Sequence, residues 1–106
     1  MGEEISARYL KKKDYRIISR NYYSNFGELD LVCVKDDTIV FVEVMTRKNE
    51  DYGYANQSVN CKKQSRIRKT AVKFINSNDL YNFKYRFDVV ECYWQTKKIY
   101  HIENAF

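Results

Sequence analysis

The sequence predicts a mixed α/β fold in which helices flank a central sheet. Strand-like apolar runs, two longer stretches with an apolar stripe of helical period, and the order in which these segments alternate support this prediction. The predicted order is α-β-β-β-α-β-β, and its first six elements form an αβββαβ core. With 106 residues the chain is long enough for one modest core, so we expect a single domain over residues 1–106.

The elements follow one another without a proline. The first helix, residues 2–13, carries Ala7 and Leu10 on one stripe and ends in lysines, which suits the helix dipole. The second helix, residues 57–76, has a longer apolar stripe. The predicted strands are residues 15–23, 28–35, 38–46, 85–94 and 98–103, with an exposed loop at residues 47–56.

The second and third strands form a hairpin whose register decides which side chains are neighbours. If Asp36 and Asp37 form a two-residue loop, Asp30 lies directly opposite Glu43. Directly opposed residues have Cβ atoms about 4.5–5.5 Å apart, so these two carboxylates could share a divalent cation. Alternation places Glu28, Asp30, Glu43 and Met45 on one face and Leu29, Leu31, Val42 and Val44 on the other.

Asp30 and Glu43 are unusual because both interrupt apolar strand runs. Burying an unpaired carboxylate costs several kcal/mol, which favours a metal site. Magnesium fits such a site, since it needs only one or two carboxylates besides water and phosphate oxygens. The open alternative is a structural ion pair with Arg47, Arg86 or Lys63.

The second helix is basic. Residues 61–74 contain no acid and six basic side chains: Lys62, Lys63, Arg66, Arg68, Lys69 and Lys73. A solvated polar face is one explanation, and contact with phosphates is the other. Lys63 differs from its neighbours because it lies on the apolar stripe itself. Its stem either snorkels outward or carries the ammonium to the carboxylate face of the sheet.

Other features narrow the class of function. The net charge of +5 favours a polyanionic partner. We expect a cytoplasmic protein without a membrane segment, because no apolar run approaches 18 residues and nothing resembles a signal peptide. Cys33 and Cys92 read as buried thiols. His101 is the single histidine and receives no chemical role, while Asp88 has a structural partner in the neighbouring Arg86.

Taken together, these segments resemble the YraN family of small uncharacterised bacterial proteins. Its fold is related to the PD-(D/E)XK nucleases and to archaeal Holliday-junction resolvases. The matching positions are Gly2, Glu3, Ala7, Leu10, Asn21, residues 27–31, residues 41–44, Arg47, Ser58, Val59, Lys63, Gln64, residues 86–90 and residues 104–106.

The resemblance implies a restriction-endonuclease-like fold with a metal site. On the matching positions Asp30 and Glu43 would be the metal ligands, with Glu28 and Glu3 as additional acids. The superfamily pattern asks for a lysine two residues after the second acid, where this chain has Met45. A thioether can neither donate a hydrogen bond nor carry charge. Lys63 is therefore the candidate for that catalytic role, with Gln64 assisting.

The leading functional hypothesis is a DNA endonuclease that uses Mg²⁺ or Mn²⁺ and hydrolyses phosphodiester bonds. The predicted nucleic-acid contacts are Lys62, Arg66, Lys69, Arg47 and Gln64. A degenerate DNA- or RNA-binding module, with Met45 as the lesion, is the alternative, and a partner-binding protein is a third hypothesis. The sequence does not give the oligomeric state, but the resolvase-like relatives make a homodimer a reasonable assembly.

Overall fold

The computed structural model describes residues 2–48 and 59–106, which form one five-stranded sheet and two helices. The elements are α1 (Gly2–Lys12), β1 (Arg16–Tyr23), β2 (Glu28–Lys35), β3 (Thr38–Arg47), α2 (Cys61–Ser77), β4 (Lys84–Tyr93) and β5 (Lys98–Ile102). Strand order is β1-β2-β3-β4-β5, with β3 and β4 parallel and the other neighbours antiparallel. The predicted α/β class and element order are confirmed.

The two helices cover opposite faces of the sheet because successive strand residues point to opposite sides. Ala7 and Leu10 of α1 pack in a cluster with Leu31, Cys33 and Val42. Residues Ile67, Ala71 and Phe74 of α2 pack in a second cluster with Val32, Phe41 and Val89. Helix α2 thus supplies the crossover that parallel strands require. Neither helix in the described ranges is long and apolar enough to cross a membrane.

The predicted hairpin register is confirmed from Lys35 opposite Thr38 to Leu31 opposite Val42. Asp36 has a φ of 55°, as a tight hairpin turn requires. The regular ladder ends at Leu31, and one position further the Val44 N–H donates to Asp30 Oδ2 at 2.8 Å. The strict alternation of β2 side chains between the two faces of the sheet ends at the same point. Leu29, predicted to share a face with Leu31, packs in the α2 cluster instead, so that prediction was wrong.

The start of α2 also differs from the prediction. The helix begins at Cys61 rather than at residue 57, because Asn60 is its N-cap and accepts a hydrogen bond from the Lys63 N–H at 2.9 Å. Val59 therefore precedes the helix, although it is buried in the α2 cluster as the apolar stripe suggested. Residues 57–58 and most of the predicted loop, residues 49–56, lie outside the described residues.

The buried acid of β4 is tied to the end of the chain. Asp88 is fully buried and accepts hydrogen bonds from Arg86 Nε at 2.9 Å and from the Asn104 N–H at 3.0 Å. His101 Nε2 lies 2.7 Å from its other oxygen. Burial alone raises the pKa of Asp88, yet these partners together hold it below its ordinary value. Arg86 is thus the structural partner that the sequence indicated.

Candidate metal centre

Three acidic side chains from two elements meet near the start of β2. One carboxylate oxygen each of Glu3, Glu28 and Asp30 lies within 4.8 Å of the others. Glu3 comes from the first turn of α1, Glu28 opens β2 and Asp30 follows two residues later. Like charges at this separation repel, while hard divalent cations prefer such oxygen ligands. The group is therefore a suitable set of metal ligands.

Asp30 is the most perturbed of these acids. Only 8% of it is exposed, and the Val44 N–H donates to its Oδ2. Burial first, and the negative charge of Glu43 second, raise the pKa of Asp30 to about 8. A hydrogen bond with Glu28 raises it further. The ionised form of Asp30 is thus disfavoured until a positive charge approaches.

Glu43 forms an ion pair with the positively charged side chain of Lys63. Lys63 Nζ lies 2.8 Å from Glu43 Oε1, and the carboxylate is nearly buried while the lysine is partly exposed. The lysine on the apolar stripe therefore reaches the carboxylate face. Of the three cations considered for a structural pair, Lys63 is the one that contacts Glu43, whereas Arg47 pairs with Glu91 and Arg86 with Asp88.

One cavity connects Glu28 and Asp30 with the Glu43–Lys63 ion pair. It has a volume of about 290 Å³ and is lined by Phe26, Gly27, Glu28, Asp30, Glu43, Lys63, Arg66 and Ile67. Acids from β2 and β3 thus face cations from α2 across a space of ligand size. Met45 packs against the apolar α2 cluster, so it adds no polar group.

The predicted nucleic-acid contacts divide into two groups. Lys62, Arg66 and Lys69 are exposed and lie about one turn apart along one side of α2, and Arg66 also lines the cavity. The other two are engaged elsewhere. Arg47 Nε contacts Glu91 Oε2 at 3.0 Å, and Gln64 Nε2 donates to the Val59 carbonyl at 3.0 Å. Their roles on nucleic acid stay predictions.

Among the described residues, two aromatic side chains lie at the site that were given no role from the sequence. Tyr23 lies opposite Glu28 in the β1–β2 ladder, and a hydrogen bond to Glu28 raises the pKa of Tyr23. The register that pairs them contains an irregularity between Ile17 and Ser19, which strand periodicity does not reveal. Phe26 lines the cavity from the turn before β2. No periodic signal marks a residue in such a turn.

Comparison with known proteins places these features in a family. The model of the uncharacterised protein family UPF0102 matches residues 2–92. A UPF0102 protein of Syntrophomonas wolfei is 44% identical over 107 residues, covering 99% of this chain and 93% of the relative. A UPF0102 protein of Alkaliphilus metalliredigens is 43% identical over 107 residues, covering 100% and 94%. One of Pelotomaculum thermopropionicum is 44% identical over 110 residues, covering 100% and 92%. The resemblance to the YraN family is thereby confirmed, and the chain belongs to the UPF0102 family.

Proposed function

We propose that this protein is a metal-dependent endonuclease that hydrolyses phosphodiester bonds of DNA. One observation carries the proposal: Asp30 and Glu43, both nearly buried, line the same cavity as Lys63 and Arg66. Phosphodiester hydrolysis requires a group that activates water and groups that stabilise negative charge on the phosphate. A cavity with acids on one side and cations on the other contains both kinds of group.

The acids fit Mg²⁺ or Mn²⁺. Two sets of acids could hold the ion, and Asp30 belongs to both. Asp30 lies in the group with Glu3 and Glu28, and it is also close enough to Glu43 for the negative charge of Glu43 to raise the pKa of Asp30. In the proposed site Asp30 and Glu43 hold the metal, and Glu28 and Glu3 complete its surroundings. A bound ion would polarise the phosphate and lower the pKa of a coordinated water.

Lys63 takes the role that Met45 cannot fill. Glu43 holds its ammonium at 2.8 Å, at the wall of the cavity. An ammonium in this position donates hydrogen bonds to phosphate oxygens as their negative charge grows. Arg66 contacts the same phosphate, and Lys62 and Lys69 bind its neighbours along the strand.

The Lys63–Glu43 contact also favours a second candidate function. An ion pair at 2.8 Å satisfies both charges without a metal. On that interpretation the protein keeps the scaffold and the basic helix but binds DNA or RNA without cutting it, and Met45 marks the lost catalytic position.

Cleavage assays separate the two functions. Wild type, Glu43→Gln and Lys63→Met are incubated with single-stranded, duplex and branched DNA in Mg²⁺ and in Mn²⁺. We expect metal-dependent cleavage by wild type and a loss of about 100-fold or more in both variants. Lys11→Met, which removes an exposed lysine of α1, is the matched control and should cleave normally.

The binding module is the correct function if wild type binds these DNAs and never cuts them, while Met45→Lys gains cleavage.

The proposal also includes a cytoplasmic location and a homodimer. Light scattering at micromolar concentration tests the dimer, which a monomer mass would exclude.

A further inference from the structure

The turn before β2 is fastened to α2 through a buried hydroxyl. Ser24 Oγ lies 2.8 Å from Thr70 Oγ1, and Thr70 is fully buried. Within the turn the Phe26 N–H donates to Ser24 Oγ at 3.0 Å, and the Ser24 N–H donates to the Gly27 carbonyl at 2.8 Å. These bonds hold the turn in one position relative to α2, so Phe26 is presented at a defined place.

The Phe26 ring is displayed at the mouth of the cavity. It is 39% exposed and lines the same space as Asp30, Glu43 and Lys63. Among the described residues it belongs to neither apolar cluster. An exposed aromatic ring beside a polar, charged cavity is therefore not explained by core packing.

Two lysines accompany this ring. Lys69 Nζ lies 5.4 Å and Lys73 Nζ 5.1 Å from the ring centroid, and Lys73 Nζ also donates to Asn25 Oδ1 at 2.6 Å. Both ammonium groups lie over the Phe26 ring, and they come from lysines that are about one turn apart on α2. An aromatic surface next to ammonium groups is the combination that binds a base together with its flanking phosphates.

We propose that Phe26 is a stacking platform for an unpaired base of DNA, so that the site takes strands whose bases are unpaired beside the scissile phosphate. This inference rests on the proposed function for the position of that phosphate. A base inside a duplex has both faces covered by its neighbours and reaches a protein ring only after unstacking. Single strands and the open arms of branched DNA meet this requirement, whereas an intact duplex does not.

The test measures binding rather than cleavage. A single-stranded oligonucleotide with one 2-aminopurine in a thymine run is titrated with protein in Ca²⁺, which takes the same oxygen ligands. We expect 2-aminopurine fluorescence to be quenched and the single strand to bind more tightly than a duplex of the same sequence. Phe26→Leu should abolish the quenching and lower single-strand affinity roughly 5- to 150-fold, while duplex affinity stays the same.

Phe26→Trp and Tyr81→Leu are the matched variants. Trp restores an aromatic face and should keep both quenching and affinity, which a purely structural role of Phe26 would not require. Tyr81→Leu removes another exposed aromatic side chain and should change neither. The proposal is overturned if Phe26→Leu binds and quenches like wild type, if both Phe26 variants lose affinity equally, or if wild type does not bind the single strand.

These outcomes separate the inference from the proposed function. If wild type cleaves DNA in Mg²⁺ while Phe26→Leu is unchanged in binding, the stacking platform is wrong and the nuclease stands. If quenching depends on Phe26 but no DNA is cut, the platform stands and the nuclease is wrong.

Discussion

Among the residues that the structure describes, two aspartates are buried, Asp88 in β4 and Asp30 in β2, and their surroundings have opposite effects on their charge. Asp88 is fully buried and has donors on both oxygens, from Arg86, His101 and the Asn104 backbone. Asp30 has the Val44 N–H on one side and the acids Glu3, Glu28 and Glu43 around it. The pKa of Asp88 is lowered and that of Asp30 is raised to about 8.

The difference distinguishes a structural acid from one with a function. The charge of Asp88 is balanced within the fold, so nothing else has to bind there. The surroundings of Asp30 disfavour its charge, and a bound proton or cation would offset this cost. A perturbed acid that lines a cavity is a functional-site candidate on physical grounds.

The largest expected effect is on folding. Asp88→Asn replaces an acceptor oxygen by an NH₂ group that faces other donors, and leaves the partly buried guanidinium of Arg86 paired only with the more exposed Glu103 among the acids described. We expect the free energy of unfolding, measured with urea, to fall by about 3–5 kcal/mol. A loss below about 1 kcal/mol would mean that the Asp88 cluster contributes little to stability.

The free energy of unfolding should depend on pH because the pKa of Asp88 is lowered in the folded protein. The contribution of Asp88 to the free energy of unfolding is fully present above the pKa that Asp88 has in the unfolded chain, about 3.9. This contribution is lost as the pH falls through the lower pKa of Asp88 in the folded protein. The gap in stability between wild type and Asp88→Asn should therefore narrow below about pH 4. Urea titrations from pH 7 to pH 2 measure this gap, and a constant gap would contradict the assignment.

Metal binding should stabilise the protein through Asp30. At a free Mn²⁺ concentration 100 times the dissociation constant, the free energy of unfolding of wild type should rise by about 2.7 kcal/mol. Asp30→Asn should show little of this rise, and Asp14→Asn, which changes an exposed acid outside the site, should show all of it. An equal rise in all three proteins would place the metal elsewhere.

Without metal, Asp30→Asn should be more stable than wild type by about 1 kcal/mol, because Asp30, whose pKa is raised to about 8, has to take up a proton when the protein folds near neutral pH, whereas Asn is neutral in both states. The new amide can still accept from the Val44 N–H through its oxygen and can donate to Glu28. Thermal unfolding in EDTA at pH 7.5 measures the change. A clear loss of stability would make Asp30 a structural acid like Asp88.

The smallest effect concerns Tyr23. Tyr23→Phe removes the hydroxyl that is hydrogen-bonded to Glu28 but keeps the ring. Because Tyr23 is exposed, we expect metal affinity to fall by only about 2- to 10-fold, below the usual range for residues that support metal ligands. Calorimetric titration with Mn²⁺ measures the shift, and Tyr81→Phe is the control.

Much of the site follows from local rules. The Asp36–Asp37 turn determines the β2–β3 register, and the position of Lys63 on the apolar stripe of α2 turns it towards the sheet. The position of Glu3 beside Glu28 could not be predicted in the same way. It depends on the docking of α1 against β3, where a Cβ on Gly2 would lie 2.1 Å from Thr46 Oγ1. Such contacts arise from tertiary packing, which periodicity does not encode.

The pairing of Arg47 has a similar cause. Its contact with Glu91 depends on the parallel register of β3 and β4, which the intervening α2 crossover sets. The start of α2 did leave a local signal in Asn60, a preferred N-cap residue, which the apolar stripe through Val59 obscured.

Lys63 belongs to α2, whereas Glu43 belongs to β3, and this difference has a consequence for inactivation by heat. Glu43 and a lysine on the same strand would be held in register by one backbone, whereas here the ammonium reaches Glu43 only while α2 is seated on the sheet. Partial detachment of this helix would separate the cation from the acids and leave the strands intact. Loss of the Lys63 contact is therefore expected before loss of the β-sheet signal on heating.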